Sequence, residues 1–220
     1  MRKIIFGAFI ILSVNIFSQD IGELYFKEAQ PYNAKNENII PGEFHGKYSS
    51  TRDSLLTIII TADSIYFNQA QLYIFKSTEL KEKGWTLNEQ GISGFVQNRI
   101  IPALVKGDTI YTFLIQSQTF FSINDTSVIK QNQNILYINK RISADKWATC
   151  VIKKENNKLI LAYIDTDNKN EKKALTTTKP IKTQKNMDNE PVYIFNMSKS
   201  DRGKYLDTGG CSSESDFVKK

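Results

Sequence analysis

The side chains best suited to chemistry in this chain are one histidine, His45, and two cysteines, Cys150 and Cys211. Nucleophilic catalysis by serine or cysteine needs a base close to the nucleophile. His45 is the one imidazole in the chain, and no Gly-x-Ser-x-Gly sequence is present. Cys150 lies far from it along the chain, in a strand-like segment with Ala148 and Ile152 on the same face, which is typical of a core thiol. We therefore predict no catalytic residues of this kind.

Metal ligands are equally sparse, because one histidine and two distant cysteines make no zinc site without several carboxylates. The stretch Asp165–Asn168 resembles the opening of a calcium-binding loop. Asn170 stands where such a loop needs glycine, and Thr176 stands where it needs glutamate. We predict no metal and no cofactor, and a solvated turn at this stretch.

The carboxylates leave one enzymatic alternative, a hydrolase that uses two acids facing each other across a cleft. Eight acids between Glu43 and Asp125 stand mostly at predicted turns, where acids cap and solvate the backbone. They are Glu43, Asp53, Asp63, Glu79, Glu82, Glu89, Asp108 and Asp125. Nothing in the sequence pairs two of them, so the hydrolase has no named catalytic residues.

Residues 1–18 have the pattern of an export signal. Arg2 and Lys3 precede an apolar run that ends at Phe17 and is too short to span a bilayer. Cleavage is expected after Ser18, and an uncleaved anchor helix is the alternative. We predict an exported protein with no transmembrane span after cleavage. Its expected location is the periplasm, the cell exterior or the periphery of the outer membrane.

The charge distribution gives no sign of nucleic-acid binding. The 29 basic and 23 acidic residues give a formal charge of +6. Removal of Arg2 and Lys3 with the signal leaves 27 basic residues against 23 acidic ones, a charge of +4. Acidic and basic residues alternate without a dense basic run, which favours a solvated surface.

The two cysteines have two interpretations in an exported chain. In an oxidising compartment, a bridge between Cys150 and Cys211 would pin the C-terminal tail to the sheet. The alternative is two separate thiols, with Cys150 buried as a small apolar side chain. The residue types and their spacing leave both open.

The fold predicted from residue 46 onward is mainly β. Short runs of β-branched and aromatic residues alternate with turn residues at regular spacing. About ten strands, joined by connections too short for crossover helices, predict an antiparallel meander. The meander forms either a barrel or two packed sheets. The clearest strand-like segments are Gly46–Ser50, Leu55–Thr61, Ser64–Asn68, Gln71–Ser77, Thr109–Ile115, Thr119–Ile123, Ile135–Lys140, Trp147–Lys153 and Lys158–Ile164.

The predicted organisation is a signal at 1–18, a lead-in segment at 19–45 and a single β-rich domain at 46–220. Short helices are predicted near the termini, at Glu23–Gln30 and Ser198–Tyr205. Residues 165–190 form one long polar stretch, either an inserted loop or an edge hairpin. Ser212–Lys220 is a polar tail in this interpretation, apart from Phe217 and Val218.

The lack of a catalytic pattern directs attention to binding. The run Leu72–Phe75 is apolar on both faces, so a second face must pack on another part of the protein or on a ligand. Tyrosines in such strands are candidate ligand-binding residues. The ring provides an apolar contact, and the hydroxyl group can orient a ligand through a hydrogen bond. The candidates are Tyr66, Tyr73, Tyr111 and Tyr137. A half-buried place at a sheet edge is the alternative for each of them.

The start of the first predicted strand, Gly46–Tyr48, resembles the Gly-x-Trp that opens lipocalin-type up-and-down barrels, with Tyr48 in place of the tryptophan. That resemblance implies a small apolar ligand held inside a barrel. The segments Asp108–Phe113, Ile135–Lys140 and Trp147–Ile152 also resemble those of small uncharacterised exported bacterial proteins. This second resemblance implies no known activity.

Together these observations predict an exported, non-enzymatic domain of the cell envelope. One version of it binds a small apolar ligand. The other is a structural or protein-interaction module with a fully packed core, in which residues 165–190 form the contact loop and the partner is an envelope protein. In both versions His45 marks the entry to the first strand.

Overall fold

The structure is a computed structural model that describes residues 24–32, 34–124, 126–163, 180, 182–185, 191–198, 200–201, 205, 211 and 213–220. The described strands are β1 (Leu24–Phe26), β2 (Gly46–Ser50), β3 (Leu56–Ile60), β4 (Ser64–Lys76), β5 (Thr86–Asn88), β6 (Gly91–Val96), β7 (Arg99–Ile101), β8 (Ala103–Lys106), β9 (Thr109–Ser122), β10 (Ser127–Asn132), β11 (Ile135–Ser143), β12 (Lys146–Glu155), β13 (Lys158–Tyr163), β14 (Lys182–Lys185), β15 (Pro191–Phe195) and β16 (Ser213–Lys219). A 3-10 helix at Gly42–Phe44 precedes β2, and the α-helix α1 spans Ser77–Glu82.

Thirteen of these strands form one large sheet. Its main path runs in the order β10-β11-β12-β13-β16-β2-β3-β4-β9-β8, with antiparallel neighbours throughout. Strand β1 joins the start of β12 and pairs in parallel with β15, which pairs with β14. Among the described residues, β8, β10 and β14 each have a strand on one side only, so the sheet has edges and does not close.

The mainly β prediction is confirmed, and the closed barrel is wrong. The two-sheet alternative fits, but the two sheets differ greatly in size, because the second described sheet holds only β5, β6 and β7. The predicted ten strands are too few, although Ser64–Asn68 and Gln71–Ser77 merge into the single strand β4. Polar residues between those segments do not end the strand, since β9 pairs with β4 along its whole length.

One face of the large sheet carries the main core. Sixteen buried residues from nine strands and the lead-in pack there as one cluster. Phe121 of β9 and Ile129 of β10 both belong to it, although β9 and β10 lie far apart in the strand order. The sheet must therefore curl around this cluster. Among the described residues β9 and β10 do not pair as neighbouring strands, although an isolated bridge between Asn124 and Ser127 links their ends.

The C-terminal strand β16 lies in the middle of the sheet, between β13 and β2. Phe217 points into the main core and is 1% exposed. Acids alternate with it along the strand, and Asp216 forms an ion pair with Lys158 at 3.0 Å on the other face. The predicted polar tail is wrong at this point. The sequence did not indicate this strand, because acids alternate with a single aromatic residue. The acids lie on the outer face of the strand, which is solvated.

The lead-in is part of the fold and contains a strand where the sequence predicted a helix. Leu24 and Phe26 of β1 alternate into a second cluster on the opposite face of β12. The backbone of Gln30 exchanges two 2.7 Å hydrogen bonds with the side-chain amide of Asn139. Further along, Ile40 enters the main core and is fully buried. Long-range pairing of this kind overrides local helix preference.

Two other predictions fall largely outside the described residues. The helix predicted at Ser198–Tyr205 is described only in part. Of the polar stretch 165–190, the structure describes residue 180 and strand β14, which pairs with β15 at an edge of the large sheet. Strand β14 therefore lies at an edge of the described sheet, and the rest of this polar stretch, apart from residue 180, lies outside the described residues.

Strands β4 and β9 continue past the end of β3 and carry a separate unit, residues 70–115, which we call the arm. Its own cluster forms where Phe75 and Ile110 pack against α1 and the small sheet. The ring centroids of Phe75 and Phe95 are 5.1 Å apart in an edge-to-face contact. Gly91 allows the small sheet to fold closely, because its φ is +135° and an added Cβ would stand 2.0 Å from the carbonyl of Ile101.

Candidate functional site

His45 has a structural partner. Its Nε2 lies 2.7 Å from the carbonyl oxygen of Ile40, which fixes that nitrogen as the hydrogen-bond donor. The backbone N–H of His45 closes the 3-10 helix on the carbonyl of Gly42 at 3.1 Å. The hydroxyl group of Tyr48 donates a hydrogen bond to the carbonyl oxygen of Phe44 at 3.0 Å. Burial raises the pKa of Tyr48. The histidine thus holds the turn that leads into β2.

The predicted turn carboxylates mostly bond to neighbouring groups. Asp53 accepts the backbone N–H of Leu55 at 2.9 Å, and Asp108 accepts Lys76 Nζ at 2.9 Å. That bond, followed by one from Thr109, lowers the pKa of Asp108. Contacts of this kind stabilise turns, and they explain the positions of these acids without a catalytic role.

Glu43 lies two residues before His45 in the sequence. Its carboxylate accepts a hydrogen bond from the side-chain amide of Gln131 at 2.8 Å. A backbone hydrogen bond, and then the bond from Gln131, lower the pKa of Glu43. A lowered pKa keeps the carboxylate ionised near neutral pH, which suits a surface contact better than a general acid. A general-acid role is therefore disfavoured for Glu43.

No group of three or more His, Cys, Asp or Glu side chains that could hold a metal occurs among the described residues. The calcium-like stretch Asp165–Asn168 lies outside the described part of the chain.

The two cysteines are not joined by a disulfide in this structure, and both are buried. Cys150 belongs to the main core, whereas Cys211 packs in the second cluster beside Tyr205. Burial, and then the neighbouring Cys211, raise the pKa of the Cys150 thiol well above its ordinary value. A thiol of this kind is a poor nucleophile.

The four candidate tyrosines lie in different surroundings. Tyr66 is half-buried on β4, between the core residues Ile65 and Phe67. Tyr73 packs in the arm cluster and donates its hydroxyl to Gln71 Oε1 at 2.8 Å. Tyr111 stands opposite Ile74 on the other face of the arm, and Tyr137 is buried in the second cluster. A shared binding site made of all four does not follow from this placement.

The feature that stands out is the outer face of the arm. Cross-strand pairing places Leu72 opposite Phe113, Ile74 opposite Tyr111, and Ala70 opposite Ile115. Tyr111 in turn pairs with Leu104 on β8. Leu72, Ile74, Leu104, Phe113 and Ile115 are between 42% and 59% exposed. We call this set of five side chains the arm face.

The arm face is bordered by polar groups. Lys76, Lys106 and Thr109 lie at one end of the three strands, and Asn68 and Ser117 lie at the other. An apolar centre inside a polar rim is the usual anatomy of a protein–protein contact. The signal for it was present in the sequence, since Leu72–Phe75 is apolar on both faces. Which face would remain uncovered depended on where the small sheet packs.

Compared with known proteins, the chain matches no family model, no curated protein and no solved structure. The resemblance to lipocalin-type and small exported proteins therefore stays a prediction. Within the described residues, no helix is long and apolar enough to cross a membrane.

Proposed function

We propose that this protein is an exported, non-enzymatic domain of the cell envelope that acts by contact with other proteins, and that the arm face is its contact surface. The observation that carries the proposal is five half-exposed apolar side chains on one face of a three-stranded unit. Export is supported by Arg2, Lys3 and the apolar run that follows them.

The packing of the core favours this version over a ligand-binding barrel. A barrel that holds a small molecule needs an interior that side chains leave open. Here the concave face is occupied by the sixteen-residue cluster, in which Ile58, Leu136 and Ile152 are at most 1% exposed. The groups with catalytic potential are engaged in turns, caps and the core, which supports a non-enzymatic role.

The size of the arm face suits a contact surface. Strands about 4.8 Å apart with about 3.3 Å per residue give the three-stranded, seven-residue patch an area of roughly 300 Å² in projection. The largest apolar patch on a typical monomer is about 300–600 Å² and is often functional. An exported protein that left such a patch uncovered would be prone to aggregation, so a partner is the simpler reason for it.

Site-specific photo-crosslinking in exporting cells tests this proposal. A photoreactive residue at Phe113, on the arm face, should give one discrete adduct with an envelope protein that mass spectrometry identifies. The same photoreactive residue at Gln71, which is exposed on the opposite face of the neighbouring strand β4, is the matched control and should not give this adduct. Ile74→Lys should remove the Phe113 adduct without unfolding the domain. Equal crosslinking from both positions, or none from Phe113, would overturn the proposal.

A native mass spectrum of the mature protein separates the two predicted versions directly. A mass that corresponds to the polypeptide alone, as one copy or two, is expected for a packed interaction module. A discrete small-molecule adduct that is lost on denaturation would instead favour the ligand-binding version.

A further inference from the structure

Strand β9 has an open edge. Strand β4 pairs with β9 along the whole of Thr109–Ser122, but β8 covers the other side only from Thr109 to Thr112. No strand of the described residues pairs with that side from Phe113 to Thr119. Ile115, Ser117 and Thr119 are all exposed. Open edges of this length are templates for another strand.

The direction of the backbone groups follows from the pairing on the far side of β4. Ala70 donates its N–H to the carbonyl of Leu55, on the β3 side, at 2.8 Å. Because direction alternates along a strand, Gln69 must face β9, and its partner Gln116 must face β4. The backbone N–H and C=O groups of Ser117, and of Ile115 and Thr119 on either side, therefore point out of the open edge.

The sequence along this edge, FLIQSQTFF from Phe113 to Phe121, is nearly palindromic in chemistry about Ser117. Gln116 mirrors Gln118, and the β-branched Ile115 mirrors the β-branched Thr119. Further out, apolar residues mirror apolar residues. A twofold contact brings residue i of one copy against j of the other and j against i, so an antiparallel strand pair of two copies needs this kind of self-complementarity.

We propose that a second copy of this chain adds to the β9 edge in antiparallel orientation, with Ser117 of each copy facing Ser117 of the other. Ile115 then pairs with Thr119 of the second copy, and Gln116 with Gln118. The inference rests on the proposed function and names one partner for the same arm.

Backbone direction and side-chain chemistry select the same register. Ser117 at the centre has its backbone groups pointing outward, so the central pair and the two flanking Ile115–Thr119 pairs are hydrogen-bonded pairs. Together they form roughly six backbone hydrogen bonds. A slip by one residue would place outward-pointing groups against inward-pointing ones and turn every side chain of the second copy to the other face.

The joined sheet also brings the two arm faces together. Facing residues of an antiparallel pair point to the same side, so Ile115 of both copies lies on one side of the continuous sheet and extends the apolar surface. The glutamine pairs lie on the other side, where their amides can bond to each other. The β-bulge that follows Thr119 limits the pairing to the short central segment.

A cysteine crosslink tests the register in the full mature protein. Facing residues of a hydrogen-bonded pair have Cα atoms about 5.5 Å apart, within the range of about 4.4–6.8 Å that a disulfide spans. Ser117→Cys should therefore give a covalent dimer under mild oxidation. Thr119→Cys is the matched control, because its symmetry mate lies about four residues away, roughly 14 Å. The native cysteines are buried and serve as the background in both variants.

Sedimentation equilibrium provides the second measurement. The unmodified chain should show a reversible monomer–dimer equilibrium. Ser117→Pro removes an outward N–H in each copy and should weaken association at least about tenfold, whereas Ser117→Ala should not. Circular dichroism checks that the Ser117→Pro variant is folded. If it is not, the Ser117→Cys crosslink alone tests the proposed dimer.

The outcomes separate the inference from the proposed function. A Ser117→Cys dimer without a Thr119→Cys dimer supports the inference. A chain that stays monomeric and forms no Ser117→Cys crosslink overturns it, as does equal crosslinking of both variants. The Phe113 photo-adduct with an envelope protein reports on the proposed function alone and does not depend on either result.

Discussion

The replacement Phe217→Ala tests whether the end of the chain is a structural strand. Phe217 is 1% exposed, and its ring centroid lies 6.2 Å from that of Phe67 inside the main core. Core Phe→Ala substitutions cost about 3–5 kcal/mol. A domain of this kind has about 5–15 kcal/mol of unfolding free energy in all. The variant should therefore lose a large part of its stability, although no catalytic or binding group is touched.

Thermal and urea unfolding followed by far-ultraviolet circular dichroism measure this loss. For a chain of this length each kcal/mol shifts Tm by about 2–4 °C, so the expected drop for Phe217→Ala is roughly 6–20 °C. The urea midpoint should fall with little change in slope, because the denatured state and the surface exposed are similar.

Val218 provides the matched control. It is the next residue on β16, points to the opposite face and is 43% exposed. Val218→Ala should change the unfolding free energy by less than about 0.5 kcal/mol. If Phe217→Ala behaved like Val218→Ala, the placement of β16 inside the sheet would be refuted.

Three further predictions concern the lead-in and the core thiol. Ile40→Ala should destabilise the protein by about 2–5 kcal/mol, while Ile39→Ala, at a 60% exposed position, should stay within about 0.5 kcal/mol in the same urea titration. Asn139→Ala should cost about 1–3 kcal/mol, because it leaves the buried backbone N–H of Gln30 without its acceptor; an unchanged urea midpoint would contradict this. The Cys150 thiol should keep its proton in the folded state while the unfolded thiol loses it above about pH 8.5, so stability should fall as the pH rises from there. Cys150→Ala should reduce that fall, and native Cys150 should resist alkylation until the protein unfolds.

The sequence predicted local strands well. The strand predicted at Gly46–Ser50 coincides with β2, and the described part of Lys158–Ile164 coincides with β13. The first segment follows a glycine-containing turn, the second is an apolar run after a pair of asparagines, and in both the hairpin partner is close in sequence. The reversal at Asn156-Asn157 suits its sequence, because Asn tolerates the positive φ of 54° that Asn156 adopts.

The misses share a different physical cause. Strand β16 and strand β1 have weak local signals, and each forms because it completes a pairing with strands distant in sequence. Helix α1 forms at Ser77–Glu82, where the sequence analysis predicted no helix, and its Leu80 is buried in the arm cluster. Local composition does not contain these partners, so a single sequence does not reveal them.

The candidate site was predictable only in part. Leu72–Phe75 was recognised as apolar on both faces, and Tyr111 was named as a binding candidate. The arm face needed three more facts: the register of β4 with β9, the end of β3 before the arm, and the packing of the small sheet on one face only. Each of these comes from long-range pairing.

The sequence by itself determined that this chain is mainly β, that one histidine and two cysteines are its candidates for nucleophilic or zinc chemistry, and that a main strand starts at Gly46. These properties depend on residue type and short-range alternation, which a linear chain displays directly. Only the tertiary structure decided that the described strands form a curled sheet with open edges, that Phe217 belongs to its centre, and that Leu72 and Ile115 remain at the surface. Those outcomes depend on which distant edges and faces find each other, because burial and hydrogen bonding are completed between segments and not within them.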